Sequence, residues 1–183
     1  MISYCKKTGL ILNNEKTQLL VSTKKHLEVN IGSCLIKAKK EINILGVDYD
    51  TNFTTNPYLV NLAREAKTGA ALIKRLSFGM PPHLLSLFAN GLLMGKILAA
   101  APATIPIRLD SEDKGSSIIK EDINKAIKCA ARSITRIRLS DKIRSESVLS
   151  KARLRCLNEA VASAMAVLVW KCKQSMNPLG PLH

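Results

Sequence analysis

Hydrophobic positions along the chain follow two different periods, and the switch falls near residue 56. Upstream of it, short β-prone runs with partial period-two alternation predict strands at Thr17–Ser22, Leu27–Ile31, Cys34–Ile36 and Ile42–Val47. Gly32-Ser33 predicts a two-residue hairpin turn between the second and third runs, because Gly at the first central position suits a type II′ turn. The expected product is a small antiparallel sheet.

Downstream, the period becomes helical. Asn56-Pro57 supplies an N-cap followed by Pro at the first helical position, where a missing N–H costs nothing. Leu59, Leu62, Ala66, Ala70, Ile73 and Leu76 form one apolar face, with Arg64, Lys67, Lys74 and Arg75 on the other and Gly79 as the expected stop. The run Leu84–Ala101 approaches the ~20 residues a membrane span needs. Lys96 and Asn90 near its middle, two glycines and the lack of aromatic belts favour a buried core helix instead, ended by Pro102 and Pro106. After a polar loop at Asp110–Ser117, Ile123, Ile127, Ala130, Ile134 and Ile137 step as a packing seam, and Lys125, Lys128, Arg132 and Arg136 form a basic stripe roughly opposite. A last helix uses Leu154, Leu157, Val161, Met165 and Leu168 and is bounded by Asn177-Pro178. The fold class is therefore α+β, mostly α, in three regions: residues 1–56, 57–109 and 110–183.

Composition narrows the partners. With 183 residues, one domain plus an appendage or two small units is expected, and 46% hydrophobic content excludes wholesale disorder. The net charge of +14 is spread as +3, +5 and +6 over the three regions, so it is no isolated tail. Such a surface attracts phosphate backbones or anionic headgroups. Because the apolar helix faces are committed to a core, a nucleic-acid backbone is the expected partner, and a membrane is not. Aromatic residues at 4% argue that base stacking does not dominate. Residues 1–10 have no apolar h-region, so an intracellular location, cytoplasmic or nuclear, is expected.

Little else in the sequence has the form of a catalytic site. The five cysteines are scattered without a C-x-x-C pair, and the three histidines are isolated, so no metal site is expected from them. Asp48 and Asp50 would share one face of a strand, either jointly holding a magnesium ion or serving as strand-end acids on a solvated edge. Phosphate-cradling glycine loops, nucleophile elbows and H-E-x-x-H are absent.

One stretch nevertheless resembles a polymerase family. Gly9-Leu10-Ile11-Leu12-Asn13-Asn14-Glu15-Lys16-Thr17 resembles the G-L-x-L-N-x-x-K-T block that follows the catalytic Tyr-x-Asp-Asp turn in reverse transcriptases of non-LTR (LINE-type) retrotransposons. Ile44-Leu45-Gly46-Val47 with Asp50 is similar to the family's L-G-x-x-x-D block at the primer grip, and Asn124–Thr135 is similar to its N-x-A-x-R-x-I stretch after the thumb. The resemblance implies a C-terminal palm edge at residues 1–56, thumb-like helices at 57–109 and a post-thumb region at 110–183. It implies that Lys16 corresponds to the lysine proposed to donate a proton to the leaving pyrophosphate; a surface lysine flanking a strand is the other reading. Leu45 and Gly46 would position the primer backbone, unless Gly46 merely makes a bulge.

Polymerisation requires paired carboxylates holding two magnesium ions. The family places them upstream of its first matching block, which starts eight residues after Met1 here, and Asp48 and Asp50 stand in the wrong place to substitute. The expectation is thus a truncated reverse-transcriptase fragment without a cofactor of its own, Mg2+ being expected only for the full-length polymerase. It would bind RNA or RNA–DNA duplex backbone through Arg64, Lys67, Lys74, Arg75, Lys125, Lys128, Arg132 and Arg136, with an upstream polymerase portion as a possible partner. The alternatives are a basic helical interaction module, with Leu84–Ala101 docking a partner, and a non-functional retroelement remnant.

Overall fold

In the computed structural model, which describes residues 16–22, 27–31, 34–105 and 114–176 with Lys7, Gly9 and Asn13, the β-prone runs pair as two sheets. Strands β1 (Leu19–Leu20), β2 (Glu28–Ile31) and β3 (Cys34–Lys39) form one, in the order β1-β3-β2. Its β2–β3 pair is antiparallel, with Glu28 opposite Lys37 and an ion pair of 3.6 Å between them. The β1–β3 pair is parallel, so the sheet is mixed and not purely antiparallel as expected. The Gly32-Ser33 turn lies outside the described residues.

The expected single strand at Ile42–Val47 is instead a hairpin of β4 (Glu41–Ile44) and β5 (Val47–Asp50). Ile44 pairs with Val47, leaving Leu45 and Gly46 as a two-residue turn with φ of 51° and 85°. Positive φ at both central residues is the type I′ signature, normally written Asn-Gly. Leucine at the first of them hides the turn from the sequence. Asn43 reinforces it, accepting a hydrogen bond from the Gly46 N–H at 3.0 Å and donating to Asp48 Oδ1 at 2.7 Å. A branched residue held at positive φ costs about 1 kcal/mol or more. Leu45→Asn is therefore expected to stabilise the hairpin by about 1 kcal/mol, read as a higher urea midpoint.

Two compact units divide the chain, Met1–Tyr58 and Leu59–His183. Helix α1 (Asn56–Leu76) starts at Asn56, with Pro57 in its first turn, and buries Leu59, Leu62, Ala63, Ala66, Ala70 and Ile73. It ends three residues before Gly79, and Met80 N–H then bonds the Leu76 carbonyl at 3.0 Å.

The apolar run forms α2 (Pro82–Ala89), a π-helical turn (Asn90–Met94) and α3 (Gly95–Ala99). By length and composition Pro82–Ala99 passes the test for a membrane span. In the fold, Leu85, Ala89 and Ile97 are fully buried, while Leu84, Leu87, Phe88 and Leu92 lie exposed. Its polar residues serve packing: Ser86 Oγ donates to the Ala152 carbonyl, and Asn90 Nδ2 donates to the carbonyls of Ser86 at 2.9 Å and Arg153 at 3.3 Å. Pro102 does not end this run. The helix stops at Ala99, and Pro102 sits in the first turn of a short helix α4 (Ala101–Thr104), the position where proline fits. Pro106 lies outside the described residues.

Helix α5 (Lys114–Thr135) takes in the last part of the expected polar loop and is the spine of the second unit. Ile123, Ile127 and Ala130 are fully buried, and Ile134 is nearly so. The seam ends early, because Arg136 turns left-handed with φ 56° and leaves Ile137 outside the helix. Helix α6 (Ser145–Ala152), not anticipated, packs most extensively on α5 and buries Val148, Leu149 and Ala152. It ends at Arg153 (φ 55°), with Leu154 N–H bonding the Leu149 carbonyl at 3.0 Å.

Helix α7 (Leu157–Met176) begins against α5, where Asn124 Oδ1 accepts from the Leu157 N–H at 2.9 Å. Leu157, Ala160 and Val161 are buried, but Leu168 is exposed, contrary to its expected core position. Asn177-Pro178 lies outside the described residues.

Candidate nucleic-acid interface

The helical unit gathers cations from three segments around one open groove. Lys74 comes from the last turn of α1, Lys125, Lys128 and Arg132 from one side of α5, and Arg136 and Arg138 from the loop beyond it. The groove has a volume of about 860 Å³ and no carboxylate in its lining. Phe78, Ile137 and Leu139 add apolar surface, and Ser77, Ser133 and Ser145 add hydroxyls.

The basic residues follow from helix geometry. Steps of three and four residues place Lys125, Lys128 and Arg132 on one side of α5 while the isoleucine seam packs inward. The stripe runs toward the C-terminal end of α5, where the helix macrodipole favours positive charge.

The cations are not equivalent. Lys125 pairs with Glu121 at 3.1 Å and Asp122 at 3.8 Å. The hydrogen bond to Glu121, then that residue's charge and that of Asp122, raises the Lys125 ammonium above the ordinary lysine value against opposing desolvation. Arg132 Nη1 donates to the Arg138 carbonyl at 3.1 Å, and Arg136 Nη2 to the Ser77 carbonyl at 3.4 Å. These two guanidiniums retain further N–H donors for an anion. Neither they nor Lys74, Lys128 and Arg138 form a salt bridge among the described residues.

Three other basic residues expected to act with this set lie outside the groove lining. Lys67 ties α1 to α5 through Asp122 at 2.6 Å, Arg64 Nη2 donates to Asn61 Oδ1 at 2.5 Å, and Arg75 is exposed. The Lys67 hydrogen bond, together with the charges of Lys67 and Lys125, lowers the Asp122 pKa despite desolvation. Sequence reasoning missed Arg138, whose backbone lies outside any helical period, and Phe78, one residue before Gly79, in a turn that was expected only to stop a helix.

Lys16, Leu45 and Gly46 belong to the first unit. Lys16 is exposed, and its backbone N–H bonds Asn13 Oδ1 at 3.2 Å within a turn closed by Thr17 N–H to the Asn13 carbonyl at 3.1 Å. Most of the remaining Gly9–Thr17 block lies outside the described residues. Leu45 is fully exposed at the hairpin tip. Gly46 makes a turn and not a bulge, and a Cβ there would meet nothing within 4 Å, so its positive φ explains the glycine.

Asp48 and Asp50 have local hydrogen-bonding roles. Asp48 accepts from Asn43, while Asp50 accepts from the Asn52 and Thr54 N–H groups at 3.0 and 2.8 Å and from the Thr54 hydroxyl at 2.6 Å. Desolvation raises the Asp50 pKa, but the hydrogen bonds from Thr54 and Asn52 outweigh it and lower the value overall. Among the described residues no cluster of three His, Cys, Asp or Glu side chains is placed to hold a metal ion. No protein-family model, curated protein or solved structure matches the chain at a significant level.

Proposed function

We propose that this chain is the palm-edge, thumb and post-thumb portion of a LINE-type reverse transcriptase, and that its helical unit grips nucleic-acid backbone in the basic groove. The observation that carries the backbone-binding reading is the convergence of Lys74, Lys125, Lys128, Arg132, Arg136 and Arg138 on one groove without a lining carboxylate. Phosphate contacts need charge and shape but no base recognition, and helices set at fixed spacing provide both. Support for the polymerase origin is the resemblance of Gly9–Thr17 and Ile44–Asp50, together with an exposed leucine kept in a costly conformation at the hairpin tip. Stability alone would favour asparagine there.

The test is RNA affinity across a salt series. Five cations outside salt bridges give a slope of log K on log salt of about −3.5 for a single strand or about −4.5 for a duplex. A flat response overturns the proposal. Cys129 offers a local readout, since its exposed thiol lies in the groove lining. Bound RNA is expected to slow its alkylation severalfold while leaving that of Cys172, outside the groove lining, unchanged.

A second reading, a helical interaction module, is favoured by the exposed apolar stripe Leu84, Leu87, Phe88 and Leu92 along the Pro82–Ala99 segment. That reading predicts nucleic-acid binding indifferent to the groove charges.

A further inference from the structure

Two apolar side chains in the groove stand out because neither is packed. Phe78 is 87% exposed and Leu139 82%, and both belong to the lining that holds the six cations. An isolated exposed hydrophobe is ordinary on a protein surface. Two in one basic groove, each on a tethered loop, are a specific arrangement.

The tethers come from the basic stripe itself. Arg136 bonds the Ser77 carbonyl beside Phe78, and Ser77 Oγ bonds the Lys74 carbonyl at 2.7 Å. Arg132 bonds the Arg138 carbonyl beside Leu139, and the Leu139–Asp141 turn is closed by Arg138 N–H to Asp141 Oδ2 at 2.8 Å. The backbone that carries each apolar group is thus tied down before any ligand arrives, which lowers the ordering cost of binding.

From this we infer that the groove takes unpaired nucleotides in preference to duplex, with a base stacked on the Phe78 ring and flanking phosphates on the surrounding cations. The inference rests on the nucleic-acid reading of the groove and names its substrate class. A single strand can turn a base out onto an aromatic ring, and every base has a π-face, so such stacking tolerates any sequence. In a duplex the bases are already stacked on one another, and reaching one requires unstacking a step.

The experiment measures anisotropy of a labelled single-stranded RNA of about twelve nucleotides and of a blunt-ended, two-strand duplex of similar charge against three proteins: the unaltered chain, Phe78→Ala, and Phe78→Trp combined with Trp170→Phe. Trp170 is the only tryptophan and is 59% exposed, so the double variant reports from position 78 alone. Phe78→Ala is expected to weaken the single strand about tenfold and the duplex less than twofold. In the double variant, single-stranded RNA quenches the tryptophan fluorescence and duplex does not. If Phe78→Ala weakens both ligands equally, or neither, while both still bind, the inference is overturned but the groove reading stands. If neither RNA binds the unaltered chain, both fall.

Discussion

Replacing Lys74, Lys128, Arg132, Arg136 and Arg138 together by glutamine lowers RNA affinity by about three to four orders of magnitude near 0.1 M salt, with little effect on helix content. The size follows from counterion release, in which each neutralised phosphate contributes nearly one power of the salt concentration. Five lost contacts also flatten the salt response almost completely. Glutamine keeps two methylenes of each stem and a hydrogen-bonding end, so apart from the Arg132 and Arg136 bonds to the neighbouring loops the change is chiefly electrostatic. Circular dichroism confirms folding, and filter binding at several salt concentrations supplies the affinities. Unchanged affinity in a folded variant would move the interaction to another surface and favour the module reading. Changing Arg64, Lys67 and Arg75 in the same way is expected to have a far smaller effect, because none of them lines the groove.

Ile127→Ala produces the largest loss of stability, about 3 kcal/mol, and lowers the melting temperature by about 10 °C. Ile127 is fully buried midway along α5, the helix that α2, α6 and α7 all contact. Truncation there removes apolar burial and leaves a cavity among elements that cannot all close on it. Ile118→Ala, on the same helix but 63% exposed, serves as the control and changes stability by about 0.5 kcal/mol or less. Thermal melts of the two variants, followed at the helical minimum, distinguish a core position from a merely apolar one.

The two isoleucines also mark how far the sequence could be read. Most residues at 3-4 spacing on α1 and α5 are buried, because a long helix packed on one side leaves periodicity few alternatives, although Leu76 at the end of α1 is only half-buried and Ala63, Ala126 and Ala131 are buried beside the expected faces. Where the chain reverses, the sequence misleads. Leu45, Arg136 and Arg153 all adopt positive φ without being Gly or Asn, so the ends of α5 and α6 carry no turn signal and the β4–β5 hairpin carries only half of one, at Gly46. Tertiary bonds made the reversals affordable: Arg136 is anchored to Ser77, and the Arg153 carbonyl to Asn90.

The candidate site was legible in part for the same reason. Lys125, Lys128 and Arg132 could be assigned to one face by counting, whereas their meeting with Lys74 and Arg138 depends on packing between segments far apart in sequence. A whole-chain aromatic content of 4% argued against stacking as the dominant mode, yet stacking needs only one exposed ring, and the proposal rests on Phe78 standing exposed in the groove lining.

Six positive groups crowded around one groove repel one another whenever it is empty. Dissolved salt screens that repulsion, so it steadies the free protein while it weakens the hold on a polyanion. The two salt effects therefore have opposite signs. Under the proposed function a bound strand would relieve the same repulsion, and its phosphates would act on the fold as fixed counterions that dilution does not disperse as readily as free ions.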